Sequence, residues 1–524
     1  MAPTVQEFYR GKSILLTGAT GFVGKVLVEK LLRSCDGIET MFLLLRPKKG
    51  LTSEERLRDL CNNKLFSLLK EKQPDVFKKI KLVQGDILEE DLGLSNDDRR
   101  ELQRKCNVVF HSAACVRFDQ NLKDAVKQNT IATLRMLQLA ETMENLEAFV
   151  YLSTAYCHCQ EEVLEEKLYP TPHNHYRIMD IVQWMDADML KYLEPKLISS
   201  EPNTYSYTKA LSENMVAEYA SKFPIAIARP SIVIAALNEP IPGWIDNLNG
   251  PTGIIIGGAK GVIRTMHCEP SYAADALPVD IVCNGLILIA YAVGLDKPHE
   301  ARVYNVTLSG ALKNSWAEIL VKGEKWVNVY PPTVALWYPG GSIKSYWLWH
   351  QICLVLTHLL PAYFIDMLLF LCGQKTFMVK LQERISKGLK VLQSYTTKDW
   401  IFKNNNYQAL RKRITEDENK IFMTDISNVN VDEYLKSYVL GAREYCCKDD
   451  PSTLPRARKL HKIRYVVDRI TKIILIGLLA WFLYSHSNVF TSVVEYLDMT
   501  MKSWSPIVAV KADDNIKDNI EEII

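Results

Sequence analysis

Tyr205 and Lys209 have the residue types and the spacing that proton transfer to a carbonyl oxygen requires. They begin a stretch with a helical pattern, 205–219, and residues four positions apart on a helix project from the same face. An ammonium group beside a phenol stabilises the phenolate, so a group with an unperturbed pKa of about 10 becomes a usable acid. A surface helix with a stacked tyrosine would show the same pattern. The location of the pair, after a predicted strand and a long insertion, favours the chemical interpretation.

Two hydroxyl residues upstream could act on the same oxygen. Ser153 and Thr154 directly follow a predicted strand, 148–152. Ligands of parallel sheets bind at the carboxyl ends of the strands, so a hydroxyl there can donate a hydrogen bond to a reacting carbonyl oxygen. The predicted catalytic residues are therefore Ser153, Thr154, Tyr205 and Lys209.

Segment 17–24, Thr-Gly-Ala-Thr-Gly-Phe-Val-Gly, carries three glycines in the spacing GxxGxxG. It lies between an apolar run, 14–16, and a helical pattern, 26–32. Glycine allows a tight turn and lets backbone N–H groups approach a pyrophosphate, and the positive end of the helix favours the anion. The segment predicts a dinucleotide-binding loop, with contacts from Thr17, Gly18, Thr20, Gly21, Phe22, Val23 and Gly24.

The residues after the second predicted strand indicate which dinucleotide is preferred. Folds that prefer NAD place an acidic residue there for the ribose 2′-hydroxyl, whereas this chain has Leu-Arg-Pro-Lys-Lys at 45–49. A cation suits a 2′-phosphate, so we expect Arg46 to favour NADPH over NADH, with Lys48, Lys49 and Arg56 as supports. A solvated basic turn is the alternative. Asp86, in Gly85-Asp86-Ile87 after the third predicted strand, could approach the adenine amino group or only cap a helix.

These segments need a common scaffold, and alternating strands and helices supply one. Short apolar runs separated by helical patterns predict a Rossmann-like, doubly wound parallel sheet in an α/β domain over residues 10–330. The predicted strands are 13–16, 41–45, 80–83, 108–110, 148–152 and 225–228.

The glycine spacing and the Tyr-Lys pair resemble the extended branch of the short-chain dehydrogenase/reductase superfamily. The resemblance implies that Thr154 is the catalytic hydroxyl, with Ser153 as its neighbour. It also implies that the segment of His111, Ser112, Ala113 and Ala114 passes beneath the ribose and nicotinamide, and that Asn129 is structural or relays a proton. His111 taken alone is expected to be a packed core histidine.

Further motifs resemble the alcohol-forming fatty acyl-CoA reductases, insect members in particular, over about residues 10–490. A distinctive loop, 239–247, is followed by Gly250-Pro251, and Tyr338-Pro339-Gly340 opens a similar C-terminal region. The other matching segments are Thr17–Gly24, Leu44-Arg46-Pro47, 111–114, 153–156, 205–209, 228–233 and 439–443.

This resemblance implies reduction of a long-chain fatty acyl-CoA to a primary alcohol with two NADPH, through an enzyme-held aldehyde and with release of CoA. Trp244 and Ile254, in the Gly- and Pro-containing segment 240–261, could line the acyl entrance, although an ordered surface loop is equally consistent. Lys260 and Arg264 could meet CoA phosphates. Two alternatives remain: a membrane-associated NADP-dependent reductase of another lipid such as a sterol, and a non-catalytic NADPH-binding membrane scaffold.

The chain beyond a Pro- and Gly-containing stretch, 330–341, predicts a helical C-terminal domain over 345–450. Its expected core residues are Trp400, Phe402, Tyr407 and Phe422. Segment 346–371 is apolar but contains His350, His358, Pro361 and Asp366. Polar groups are costly in lipid, so we expect a buried or interfacial helical hairpin rather than a simple span.

Residues 466–488 are predicted to form a transmembrane anchor, with a buried core helix as the alternative. Its apolar centre, 470–484, follows a basic cluster in 456–464 and precedes a short acidic tail, 489–524. The positive-inside rule then places the catalytic part in the cytosol, on a single-pass protein of the endoplasmic reticulum or peroxisome.

Composition excludes some partners and cofactors. The 524 residues carry 63 Lys and Arg against 61 Asp and Glu, so no global field recruits nucleic acid. Twelve cysteines show no repeated spacing, and the N-terminus has no signal-peptide core, which predicts a reduced protein. Cys157-His158-Cys159 and Cys446-Cys447 lack a second pair at zinc-site spacing, so no metal is expected. The glycosylation pattern at 305–307 is expected to stay unmodified.

Overall fold

The computed structural model describes residues 3–198, 201–309, 314–486, 495–496 and 499. The chain divides into two compact units, Met1–Arg458 and Lys459–Ile524. The predicted acidic tail, 489–524, lies outside the described residues except for 495–496 and 499.

A parallel sheet of seven strands forms the centre of the first unit, in the order β11-β7-β5-β4-β1-β2-β3. All six predicted strands belong to it, which confirms the Rossmann-like α/β fold. The edge strand β11 has no counterpart among the predicted strands, because Arg302 and Asn305 interrupt its apolar residues. The strands are β1 Ser13–Thr17, β2 Thr40–Leu45, β3 Ile80–Gln84, β4 Cys106–His111, β5 Ala148–Leu152, β6 Val163–Leu164, β7 Ile225–Pro230, β8 Ile232–Ile234, β9 Thr265–His267, β10 Ala276–Pro278, β11 Arg302–Val306, β12 Ser342–Lys344 and β13 Ile401–Phe402.

Helices cover both faces of the sheet, which is why β1 and β7 are buried along their whole length. The helices before and around the sheet are α1 Val5–Tyr9, α2 Phe22–Ser34, α3 Ser53–Cys61, α4 Ser67–Lys72, α5 Asn96–Lys105, α6 Leu122–Ala125, α7 Ala132–Glu141, α8 His175–Trp184, α9 Ala187–Leu197, α10 Thr204–Glu218, α11 Pro251–Ala259, α12 Val279–Asp296 and α13 Trp316–Val329. Those of the C-terminal part are α14 Trp347–Leu354, α15 Leu360–Leu371, α16 Met378–Thr396, α17 Asn405–Leu410, α18 Glu416–Ile421, α19 Val431–Gly441 and α20 Leu454–Ser485.

Two clusters of buried apolar side chains lie between the sheet and the helices on its two faces. One joins α2 and α12 to one face of the sheet, and the other joins α7 and α10 to the opposite face. The strand order reverses between β1 and β4, and in such sheets a ligand crevice forms outside the carboxyl ends of the strands at that point.

Helices α14 to α19 belong to the same compact unit as the sheet. β13 pairs with β6, and α17 packs near β11 and α12. Of the predicted core residues, Phe402, Tyr407 and Phe422 are buried and Trp400 is partly buried. The helical region 345–450 is therefore joined to the sheet domain by packing as well as by the chain.

Residues Trp347–Leu371 form one continuous helix of 25 residues, in which a π-turn, Val355–Leu359, connects α14 and α15. The prediction of a hairpin within 346–371 is wrong, because the chain turns back only after Leu371 and leads into α16. Of the two placements that were expected, burial is wrong, because only 11% of the most apolar 18-residue window is buried.

Two helices among the described residues are long and apolar enough to cross a membrane, α12 and Trp347–Leu371. The α12 window is 89% buried, so α12 is a core helix of the first unit. The predicted anchor, 466–488, lies in α20 as far as Ser485, and its described apolar side chains are exposed. α20 is not among the two candidates, and residues 487–488 lie outside the described part.

Candidate active site

The glycine loop connects β1 to α2 at the strand-order reversal. Gly18 has a φ of 77°, and a Cβ there would lie 2.8 Å from Ala113 N and 2.8 Å from Ser112 Oγ. A Cβ on Gly24 would lie 2.2 Å from Gly18 O. Gly21 is the N-cap of α2, and no side chain caps that helix end. The turn therefore leaves a bare helix N-terminus, which suits a phosphate group.

The end of β4 is tied to the end of β1. Ser112 Oγ donates to Thr17 O at 2.9 Å, and Ala113 N donates to Thr17 Oγ1 at 3.2 Å. His111 Nδ1 lies 2.8 Å from Thr17 Oγ1, and burial, with Lys209 nearby, lowers the pKa of His111 to about 3. His111 is thus a neutral, packed histidine as expected. These bonds bring the predicted segment 111–114 against the glycine loop.

Basic side chains gather beside the loop, at the end of β2. Arg56 Nη2 donates to Thr20 Oγ1 at 2.7 Å, and Arg46 Nη1 donates to Asp86 Oδ2 at 2.7 Å. Burial, together with the charges of Arg46 and Arg56, lowers the pKa of Lys48. An anion bound among these side chains would relieve that repulsion. The cluster therefore concentrates positive charge beside the glycine loop.

Asp86 uses both carboxylate oxygens within the protein. Besides the ion pair with Arg46, its Oδ1 accepts from Leu88 N at 3.0 Å, which closes a local turn. In the protein alone Asp86 thus closes a turn and pairs with Arg46, and its contact with the adenine amino group stays a prediction. Ile87 packs against the apolar cluster around α7.

Asn129 ties two site segments together from a π-turn, Val126–Ile131. Its Oδ1 accepts from Cys115 N at 2.8 Å, and its Nδ2 donates to Thr208 Oγ1 at 3.0 Å. Since the amide is 2% exposed and fully engaged, the geometry supports the structural role.

The predicted catalytic residues meet at the carboxyl end of β5. Lys209 Nζ donates to Leu152 O at 2.6 Å and lies 4.6 Å from the centre of the Tyr151 ring. Burial lowers the pKa of Lys209 to about 7. Burial raises the pKa of Tyr205, whereas a hydrogen bond with the Thr154 side chain lowers it. The hydroxyl, phenol and amine are thus assembled at one strand end.

Ser153 lies at the same strand end and bonds to a buried thiol. Its side chain is buried, and its Oγ lies 3.9 Å from Cys157 Sγ. Its backbone N donates to Ala228 O at 2.7 Å, which continues the pairing of β5 with β7. Thr154 is the hydroxyl that bonds to Tyr205, and a catalytic role of Ser153 stays a prediction.

A buried ion pair lies one helical turn beyond Lys209 and was missed by sequence reasoning. Arg229 Nε and Nη2 donate to Glu213 at 2.8 and 2.6 Å, and both side chains are 0% exposed. Burial alone would raise the pKa of Glu213, but Arg229 lowers it overall. The spacing of Tyr205, Lys209 and Glu213 along one face of α10 was the signal that could have revealed it.

Cys157 and His158 complete this cluster. Cys157 Sγ lies 3.2 Å and His158 Nε2 lies 3.3 Å from the Glu213 carboxylate. Among the described residues this is the group of Cys, His and acidic side chains close enough to hold a metal ion. Because Arg229 forks onto both carboxylate oxygens, the arrangement is that of a hydrogen-bonded ion pair.

An aromatic wall beside Tyr205 comes from distant parts of the chain. The Phe118 ring lies 5.5 Å from the Tyr205 ring and 5.7 Å from the Tyr395 ring at the end of α16. Tyr395 Oη accepts from Asn203 Nδ2 at 2.7 Å and lies 3.1 Å from Ser206 Oγ. The C-terminal region thus contributes to the site, which no local pattern indicates.

Trp244 does not line an open entrance. It is 1% exposed and stacks on Phe22, with ring centres 5.5 Å apart, so it supports the first turn of α2. Ile254 is partly buried against Trp316 and Leu389. Its neighbour Ile255 lines an apolar cavity of about 60 Å³. Arg264 Nη1 donates to Tyr338 O at 3.1 Å.

Two family models match the chain. Each is described as "Male sterility protein"; one matches residues 16–286 and the other residues 357–449. Fatty acyl-CoA reductase 1 of Gallus gallus is 38% identical over 476 residues, 90% of this chain and 92% of the relative. Fatty acyl-CoA reductase 1 of Homo sapiens is 37% identical over the same shares, and fatty acyl-CoA reductase 2 of Mus musculus is 36% identical over 91% and 93%.

Solved structures share the fold at low sequence identity. The terminal R domain from the myxalamid PKS-NRPS biosynthetic pathway superposes with a TM-score of 0.56 at 18% identity, over 83% of this chain and 92% of that chain. The reductase (R) domain of a non-ribosomal peptide synthetase from Mycobacterium tuberculosis gives 0.55 at 17% identity, over 85% and 94%.

Proposed function

Because this chain belongs to the fatty acyl-CoA reductase family, we propose that it reduces a long-chain fatty acyl-CoA to a primary fatty alcohol and releases CoA. The observation that carries the proposal is the assembly of Thr154, Tyr205 and Lys209 at the carboxyl end of β5. The glycine loop opens at the same edge of the sheet. A proton donor thus lies at the edge where a nicotinamide cofactor of this fold binds.

The residues present fit a phosphate-bearing cofactor. Gly18 and Gly24 allow the tight turn that exposes the N-terminus of α2, and Arg46, Lys48 and Arg56 supply positive charge next to the loop. NADPH, when bound, supplies the hydride for each of two reductions. Lys209 is placed to bond the nicotinamide ribose, and the segment 111–114 to pass beneath it.

The protein contributes the same chemistry to both reductions. Tyr205 donates a proton to the carbonyl oxygen as negative charge develops there, and the Thr154 hydroxyl stabilises that charge. In the first reduction the thioester becomes a hemithioacetal, which expels CoA as a thiol and leaves an aldehyde. In the second the aldehyde becomes the alcohol. One proton donor serves both steps because each places charge on the same oxygen.

A single assay tests the proposal. Purified full-length protein in detergent is incubated with NADPH and a panel of acyl-CoAs, and aldehyde and alcohol products are separated. Alcohol formation with two NADPH consumed per acyl group is expected. Absence of NADPH consumption with every chain length would contradict the proposal, and aldehyde as sole end product would refute the second reduction.

Arg46→Ala is expected to lower the kcat/KM for NADPH about 10- to 100-fold, because hydrogen bonds to charged groups contribute about 1.5–3 kcal/mol. The kcat/KM for NADH should change little. Asp86→Asn provides the opposite control: it removes the carboxylate that pairs with Arg46 and should strengthen NADPH binding. Equal losses with both cofactors in Arg46→Ala would show that Arg46 only shapes the loop.

Above neutral pH, the protein is expected to take up protons when it binds NADPH. Burial lowers the pKa of Lys209 to about 7, so between that value and its ordinary 10.5 the free protein holds a neutral amine. The hydroxyl oxygens of a bound ribose accept hydrogen bonds from the ammonium form, which raises the pKa of Lys209 again. Calorimetry in two buffers of different ionisation enthalpy measures the uptake. Lys209→Arg, always charged, should abolish it, and a buffer-independent enthalpy for the native protein would contradict the assignment.

An apolar cavity beside Ile255 is lined by Ile234, Trp316, Tyr434 and Tyr438. These side chains come from β8, α13 and α19. At about 60 Å³ the cavity is too small to hold a long acyl chain. Ile254, on the same helix as Ile255, stays a predicted substrate contact.

We also assign the membrane anchor to 466–488. Ile473, Ile476, Leu479 and Trp481 are exposed on α20. Lys472 pairs with Asp468 at 2.7 Å, which offsets the charge next to the apolar run. With the basic cluster on its N-terminal side, the catalytic unit faces the cytosol, at the endoplasmic reticulum or peroxisome.

A further inference from the structure

A second apolar surface lies on the catalytic unit itself, along the helix Trp347–Leu371. Its outward side chains are large and apolar and include aromatic residues near both ends. Each of six examples is between 53% and 73% exposed: Trp347, Trp349, Leu356, Tyr363, Phe364 and Phe370. Contiguous apolar surface of this extent marks an interaction site.

Three polar residues of this helix, His350, His358 and Asp366, bond to the protein packed against it. His358 Nε2 accepts from Arg264 N at 2.8 Å, and His350 Nδ1 lies 3.0 Å from Thr265 Oγ1. Asp366 accepts from the backbone N–H groups at the start of α16, at 2.9 to 3.0 Å. The helix is therefore held lengthwise against β9 and α16. Spanning a bilayer would break these bonds and leave polar groups in lipid.

The turn after Leu371 and the helix α16 that follows it are basic. Exposed cations occur at Lys375, Lys380, Arg384, Lys387 and Lys390, against one exposed carboxylate, Glu383. A surface with apolar and aromatic side chains beside a row of cations complements the interface of a bilayer that carries anionic lipid. A second copy of this chain docked on this face would bring its own row of cations against this one. The repulsion between the two rows disfavours a dimer here.

We propose that the helix Trp347–Leu371 lies in the plane of the membrane surface, with its outward face in the acyl-chain boundary and the α16 cations on anionic headgroups. At 25 residues the helix is about 37 Å long, so it holds the catalytic unit along a line rather than at a point.

Site-specific photo-cross-linking of the full chain tests the proposal. Benzoylphenylalanine replaces Trp349, Tyr363 or Phe370 in protein reconstituted into vesicles of phosphatidylcholine and phosphatidylserine. Tyr192 on α9, 80% exposed, is the matched control position. Mass spectrometry should find lipid adducts near the glycerol end of the acyl chains at all three positions, and none at position 192.

Three results would overturn the proposal. The first two are adducts to a second copy of the chain and the absence of lipid adducts. The third is a helix that spans the bilayer, for which the probe at Tyr363 alone would form adducts at the ends of the acyl chains. Lys380→Glu with Arg384→Glu should lower the lipid adduct yield several-fold in anionic vesicles. Lys191→Glu with Lys196→Glu on α9 is the charge-matched control and should leave it unchanged. The readout does not depend on turnover, so its failure leaves the proposed reductase activity intact.

Discussion

Tyr205→Phe is expected to lower kcat by about 10²- to 10⁴-fold, the contribution typical of a positioned general acid. The substitution removes one hydroxyl and keeps the ring that packs against Phe118. NADPH affinity should therefore remain nearly unchanged, since the glycine loop and the basic cluster are untouched. Single-turnover kinetics with acyl-CoA, together with fluorescence titration of NADPH, separate the two quantities.

Tyr207→Phe is the matched control for this prediction. Tyr207 lies two residues away on α10, and its hydroxyl bonds to His173 Nδ1 at 3.1 Å instead of facing Thr154. Turnover of this variant should stay within a few-fold of the native value. Equal loss of turnover and NADPH binding in Tyr205→Phe would mean that the phenol is structural.

Arg229→Met is expected to lower the free energy of unfolding by about 3–5 kcal/mol, because it leaves a buried carboxylate without its partner. Glu213 has no exposed surface and depends on Arg229 for its two strongest hydrogen bonds. The pair also holds the cluster that borders Ser153 and Lys209, so activity should fall with stability. Chemical denaturation of detergent-solubilised protein measures the loss.

Arg413→Met is the control for burial. Arg413 makes a similar fork with Asp296, at 2.6 and 2.7 Å, but its side chain is 34% exposed. Removal of an exposed pair changes stability by about 0–1 kcal/mol. Comparable losses in the two variants would contradict the assignment of a special role to the buried pair.

The loss in free energy of unfolding caused by Arg229→Met should become smaller as the pH falls. In the native protein the pKa of Glu213 is lowered overall, so its stabilising contribution is present above the unfolded pKa of about 4.3 and is lost as the pH falls. In the variant, burial without Arg229 raises the pKa, and protonation relieves the buried charge at mildly acidic pH. A deficit that grows on acidification would contradict this account.

The sequence by itself determined the elements whose signals are local. Six strands of the sheet, the glycine loop and the Tyr205–Lys209 pair on one helix face are readable because each depends on residues close in the chain. Backbone conformation and side-chain periodicity repeat over a few residues, so a pattern such as GxxGxxG already implies its turn. The cationic character at the end of β2 was readable for the same reason.

Only the tertiary structure decided which distant residues share the site. Tyr395 reaches Asn203 across 192 residues, Arg229 neutralises Glu213, and Trp244 turns into the core against Phe22. Likewise, the uncovered face of Trp347–Leu371 became visible once its histidines and Asp366 were seen to bond inward. Side-chain partners and burial depend on how elements pack, and packing depends on contacts between segments that no local pattern contains.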